Sequence, residues 1–267
     1  MKKIILAVLL VAATLSAKAW STNYDKAVLL VASQNYTPET YELVTKYVNK
    51  DHTKASNHLA WHRRNGRHLE SAGWHALHLD KNLQPAAQDE NDAYVQIEKA
   101  LEIIRNHNQH DKATVSFAVN TVMNLVIDMH NLSNVVIEGI PLSGTDFKLD
   151  ISQCSVANRP IKWFQYSWKK LWTNRYETFH GVLVYSPQMW SEDIVCMYGD
   201  KKAEFSAGTL KDWCADIGTY TKGVYERLEQ EDGRFIHKTV QEHEPLHMAC
   251  LARAAYRIAS LLNANLK

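Results

Sequence analysis

The segment Ala118 to Asn134, AVNTVMNLVIDMHNLSN, limits what this chain can fold into more than any other stretch. Its first twelve residues are apolar almost all round, the pattern of a helix buried inside an all-helical protein. Asn120, Asn124, Asp128 and Asn131 interrupt it at spacings of four, four and three. At 100° per residue these side chains fall within an arc of roughly 80°, so they form one polar stripe on a buried helix. A buried carboxylate needs a strong partner, because its isolated burial costs several kcal/mol or more. A metal ion, a cation or a lined cavity would each supply one. The alternative is an internal hydrogen-bond network that only holds helices in register.

The chain opens MKKIILAVLLVAATLSAKA. Lys2 and Lys3 form a basic region, Ile4 to Leu15 an apolar core, and Ala17-Lys18-Ala19 an A-x-A cleavage signal. Residues 1–19 are therefore expected to be a secretory signal peptide and residues 20–267 the mature domain. Cleavage between Ala19 and Trp20 would deliver it to the periplasm or the exterior. No later run reaches the ~20 apolar residues of a membrane helix, so no membrane span is expected. The remaining length suffices for one sizeable core, and a formal net charge of +1 carries no polyanion-binding signature. Cys154, Cys196, Cys214 and Cys250 are an even number in an exported chain. Two disulfides are expected, with three possible connectivities that spacing alone does not separate. None forms a C-x-x-C pair, which disfavours a thiolate zinc site.

Thr37 followed by Pro38 reads as an N-cap and first helical residue, and Leu43, Val44, Tyr47 and Val48 continue an apolar face. Between Asp51 and Asp80 lie His52, His58, His62, His68, His75 and His78. The expectation there is an irregular surface segment with most histidines solvated. A helix is expected over roughly Asp92 to Asn106, a loop with a short hairpin over Gly139 to Pro160, and helices over Leu210 to Glu229 and around Met248 to Leu262. Trp163, Phe164, Tyr166, Trp168 and Trp172 are mixed with lysines, a mixture that packs a core or stacks bases and sugars. Gly181 to Lys202 is the least readable stretch. With no internal repeat and no linker, the fold expected is a single all-α domain.

In order along the mature chain, several short pieces resemble the secreted zinc-dependent single-strand nucleases, relatives of zinc-dependent phospholipase C. They are the A-x-A-Trp junction, VASQNYTPE, Trp74-His75 ahead of Asp80, and the I-x-x-A-L helix. The apolar helix with Asp128, Gly208-Thr209-Leu210-Lys211-Asp212-Trp213 and R-I-A-x-L-L-N at Arg257 to Asn263 complete the set. The resemblance implies a mostly helical fold with three zinc ions at the bottom of a cleft. It further implies that the mature N-terminal tryptophan binds one zinc through its amine and carbonyl. The metals would activate water against the phosphodiester of single-stranded nucleic acid or a nucleotide.

Residue by residue, this chain departs from that pattern. The family's opening W-G-x-x-G-H stands here as Trp20-Ser21-Thr22-Asn23-Tyr24-Asp25, with Asp25 at the histidine. Ala60 stands at a family aspartate and His75 at a family histidine. In the central motif Asp128 is kept, while Asn124 and Asn134 replace two histidines. The later family histidine and aspartate have no counterpart at their spacing near Pro160 to Lys169, unless a shifted register places Asp146 and Asp150 there. Because asparagine is a poor zinc ligand, zero or one divalent metal is expected in place of three. The leading expectation is a family member with hydrolysis lost or strongly reduced. A second keeps one metal at Trp20, Asp25 and Asp128, with His75 as general base or ligand; the oxygen ligand at Asp25 would favour a harder ion. A third is a binding module whose old cleft, lined by the asparagine stripe (Asn120, Asn124, Asn131), His75 and the Trp163 to Trp172 aromatics, with Ala60, Asn124 and Asn134 at the former ligand positions, holds a nucleotide, glycan or other ligand without turning it over.

Overall fold

The computed structural model describes residues 20–86, 90–140, 148–150, 155–156, 159–160, 165–167, 172, 185–230 and 237–267. Side-chain caps set where its helices begin. Helix α1 (Thr22–Ser33) starts after Ser21, whose hydroxyl accepts from the Tyr24 amide. Helix α2 (Pro38–Tyr47) starts as the sequence predicts: Thr37 Oγ1 accepts from the Thr40 amide at 3.2 Å and Pro38 occupies the first turn. Helix α3 (His58–Arg64) follows Asn57, which adopts the left-handed region at φ 63°. Asp92 caps α4 (Ala93–Arg105) through the Tyr94 amide at 2.7 Å. Asp111 caps α5 (Lys112–Met129) through the amides of Ala113 and Thr114. Each of these side-chain caps, which α3 lacks, satisfies amides that the first turn leaves without a helical partner.

The helix predicted from the polar stripe is α5, and it is the centre of the core. Val115, Val119, Val122, Met123 and Val126 are fully buried, and α5 touches α1, α2, α3, α4 and the long C-terminal helix α9 (His237–Asn265). An apolar surface all round is what a helix enclosed on so many sides requires. Between them lie α6 (Pro187–Tyr198), α7 (Lys202–Ser206) and α8 (Leu210–Gln230). The segment that the sequence left unread thus holds α6. The chain is mostly helical, an all-α architecture with a few short strands.

Two of those strands position the site. β1 (Leu77–Leu79) pairs in parallel with β2 (Val135–Ile137), with Leu77 opposite Val135 and Leu79 opposite Ile137. This pairing ties the residues just after His75 to those just after α5, so His75 is brought to the end of the helix that carries Asp128. The hairpin expected between Gly139 and Pro160 is present as Ser155–Val156 against Arg159–Pro160, and Lys148–Asp150 pairs with Gln165–Ser167. Trp172 is fully buried, its ring 6.2 Å from that of Trp20. Trp163, Phe164 and Trp168, and the alternative position Asp146, lie outside the described residues.

The histidine-rich segment departs from the solvated surface expected of it. It contains α3, two single-turn helices and β1, and its histidines are engaged. His52 is buried and hydrogen-bonds Thr45 at 3.0 Å; His78 pairs with Asp92 at 3.0 Å; His58 and His62 meet each other. Spacing alone conceals the partners of His52 and His78, because those lie on other elements. Cys196 is exposed, Cys214 and Cys250 are buried, and all three are free thiols. Burial pushes the Cys250 thiol up to about 12 and Cys214 higher still, which makes both inert. Cys154 lies outside the described residues. No described helix is long and apolar enough to cross a membrane.

Candidate functional site

The polar stripe resolves into two kinds of residue. The asparagines bind backbone. Asn120 Nδ2 donates to Ser116 O at 2.7 Å, and Asn124 Nδ2 donates to Asn120 O at 2.9 Å and to Ala55 O at 2.8 Å. The last bond ties α5 to the turn His52–Ala55. Asn131 Oδ1 accepts from the Ser133 amide and hydroxyl at 3.1 and 2.6 Å, fixing the turn after α5. Asn134 Nδ2 donates to Asp128 O at 3.3 Å. Of these bonds, Asn124 to Ala55 joins α5 to a separate element and Asn134 to Asp128 ties the following turn to the helix end, while the others stay within the helix or that turn; Asn120 Oδ1 is buried without a partner.

Asp128 does something else. Its carboxylate Oδ2 makes a short hydrogen bond with His75 Nδ1, and Arg63 Nη1 lies 2.8 Å from His75 Nε2. A guanidinium can only donate, so Nε2 is the acceptor and Nδ1 carries the proton given to Asp128. His75 is thereby held as the Nδ1–H tautomer, with its remaining lone pair taken. The same Arg63 nitrogen reaches Ser71 O at 3.2 Å and Ser71 Oγ at 3.1 Å. Burial lowers the Arg63 pKa, and the charge of Asp128 works against that shift. The result is a largely buried Asp128–His75–Arg63 relay, with His75 its partly exposed middle member, bridging α5, the segment before β1, and α3.

Next to the relay is a small cavity of about 10 Å³, lined by Asp25, Ser56, Asn57, Asn124, Ile127 and Asp128, which holds about one water. Asn57 Oδ1 is buried with no hydrogen-bond partner. The Trp20 indole donates to Ile127 O at 2.9 Å, which seats Trp20 beside the turn that carries Asp128. Asp25, Asn124 and Asp128 thus line one cavity, with His75 bonded to Asp128 and Trp20 bonded to Ile127 beside it. Ala60 and Asn134 do not line the cavity: Ala60 is on α3 and Asn134 turns back onto the helix end. Asn120 and Asn131 are likewise committed elsewhere.

Two residues were not anticipated. Nothing in the linear pattern singles out Arg63, since its link to His75 spans twelve residues without helical or strand periodicity. His130, which fell at no expected ligand position, belongs to a second buried network. Its Nδ1 donates to Val126 O at 2.7 Å and its Nε2 accepts from Arg257 Nη1 at 2.9 Å. Arg257 also reaches Asp216 Oδ2 at 2.6 Å and Phe205 O at 3.0 Å. Burial, and then the Arg257 charge, hold His130 far below the usual imidazole range, so it stays neutral.

Among the described residues no three His, Cys, Asp or Glu side chains surround one point. The cavity's side-chain oxygens come from two carboxylates, two amides (Asn57 and Asn124) and the Ser56 hydroxyl, a set suited to one hard cation more than to zinc. The one nitrogen nearby, His75 Nε2, faces a guanidinium. Compared with models of known protein families and with curated proteins, the sequence matches none.

Proposed function

We propose that this chain is an exported, divergent relative of the zinc-dependent single-strand nucleases in which phosphodiester hydrolysis is lost or strongly reduced. The observation that carries the reading is Arg63. A histidine that serves as metal ligand or general base offers a nitrogen lone pair to the ion or to water. At His75 that lone pair accepts from a fixed cation instead. Asn124, at a position where the resemblance puts a histidine, donates its amide to two carbonyls. Together these replace zinc-binding nitrogens with internal hydrogen bonds. Zinc analysis of the purified mature protein, paired with a single-stranded DNA hydrolysis assay, tests it. Less than one zinc per chain and no turnover are expected; two or more tightly held zinc ions would overturn the proposal.

A second reading has one observation in its favour, the unpartnered Asn57 Oδ1 at the cavity edge with Asp25 and Asp128. One hard divalent ion would be held by these oxygens, joined by the Trp20 amine if the chain is cut after Ala19, and would support slow phosphate-ester hydrolysis. Activity would then depend on that amine, and full activity in a version carrying one extra N-terminal residue would argue against it. A nucleotide or glycan module fits less well, since pockets for such ligands run to ~300–1,000 Å³ against about 10 Å³ here. Thermal shift with nucleotides, sugars and short single-stranded DNA, with and without chelator, separates the three.

A further inference from the structure

Helix α3 carries His58 and His62 one turn apart, spaced so that both rings stand on one side of the helix. Their Nε2 atoms are 3.0 Å apart, with ring centroids separated by 4.4 Å at 62°. Two neutral imidazoles in this pose share one proton between two lone-pair positions, and a metal ion can take the place of that proton. Both rings are held toward the neutral, ligand-competent form. Burial, then the charges of His62 and His68, push His58 down to about 4; burial, His68 and Arg67 lower His62. The rings are also held in place. Phe117 on α5 packs edge-on against His62 at 5.5 Å and stacks on His68 at 3.8 Å, while His62 and His68 lie 5.2 Å apart. His62 Nδ1 is buried without a hydrogen-bond partner, so only its Nε2 side is engaged.

We propose that His58 and His62 form a two-imidazole chelate for a late first-row divalent metal, Cu²⁺ before Ni²⁺ or Zn²⁺. The 3.0 Å separation puts both Nε2 atoms within reach of one ion at metal–nitrogen bond lengths of ~2.0–2.1 Å. Cu²⁺ heads the affinity order for nitrogen ligands, which sets the preference. No third protein ligand converges among the described residues, so water fills the other positions. Neither His58 nor His62 is a residue of the Asp128 cavity, and the proposal does not depend on the function proposed above.

Trp61, half-exposed with its ring 4.9 Å from that of His62, supplies a reporter. Titrating the metal-stripped full mature chain with Cu²⁺ at pH 7.5 should quench tryptophan fluorescence with saturation at one equivalent. Losing a mere supporting residue of a metal site weakens binding about 10–100-fold, so His62→Gln or His58→Gln should weaken it at least about tenfold. His110→Gln, at an exposed position, should leave it unchanged. Electron paramagnetic resonance of the copper-loaded protein should show splitting from two equatorial nitrogens, a readout on the unmutated chain that misfolding of a variant cannot confuse. Equal affinity in wild type and both variants, or a spectrum with oxygen ligands alone, would overturn the proposal.

Discussion

Arg63 decides the chemistry of the Asp128 relay because its guanidinium takes the one lone pair that His75 could offer to anything else. The cost of removing it follows from what it leaves behind. Arg63→Met keeps an apolar stem of similar length but strands Ser71 O and His75 Nε2 without a donor. A buried acceptor left unpaired costs about 1–3 kcal/mol, so the urea midpoint of this variant should fall by that equivalent. The same variant should take up more zinc than the wild type in equilibrium dialysis, since the His75 Nε2 lone pair is then no longer taken by a fixed cation. Unchanged stability together with unchanged zinc uptake would remove Arg63 from the central place given to it. Asp128 and His75 were both legible in the sequence, the first as a carboxylate on an apolar helix, the second through the Trp-His resemblance. Arg63 was not, because a hydrogen bond between the end of a short helix and a loop leaves no periodicity.

At the level of elements, caps and breakers carried most of the readable information. Thr37 and Pro38 fixed the start of α2, and Asp92 began α4 within a residue of the expected position. Thr37→Ala should cost about 1 kcal/mol, measured as a lowered thermal midpoint, since both the Thr40 amide and the Thr40 hydroxyl lose a partner. Gly208 sits at φ +86°, with Asp212 Cβ only 3.2 Å from where a Cβ would be. Gly208→Ala should therefore destabilise by about 1–2 kcal/mol, again read by thermal unfolding, while Gly223→Ala, with open space around it, should not. α6 escaped the sequence reading for a physical reason. Met189, Val195 and Met197 are exposed on it, so apolar residues occur on its outer face as well as its inner one and the helical period is blurred. β1 and β2 escaped because three-residue parallel strands are set by their partner's position, not by their own pattern.

Over the whole molecule, pH should act through buried neutral histidines. Burial depresses His52, His58 and His130, and His62 to a lesser degree of burial. In the unfolded chain a histidine titrates near ~6.5. As pH falls below that value the unfolded state takes up protons that the folded state refuses, so stability falls with falling pH. The loss continues down to the folded values, which for His58 lie at about 4. A fully buried neutral histidine such as His130 contributes up to about 1.4 kcal/mol per pH unit across this window. Urea midpoints at pH 7.5, 6.0 and 5.0 should decline steadily, and a flat profile would mean that these rings are charged or exposed in the folded state.

What the sequence determined by itself was local and periodic: an all-α chain, an enclosed helix bearing a polar stripe, and the starts of the helices that flank it. Those follow from side-chain chemistry acting over one or two turns. What only the tertiary structure decided was the partner of each polar group. The register of β1 on β2 brings His75 to Asp128, the approach of α3 places Arg63 against His75, and the turn at Ala55 takes the amide of Asn124. A hydrogen bond spanning tens of residues depends on where two elements are brought together in space, and no spacing along the chain encodes that distance.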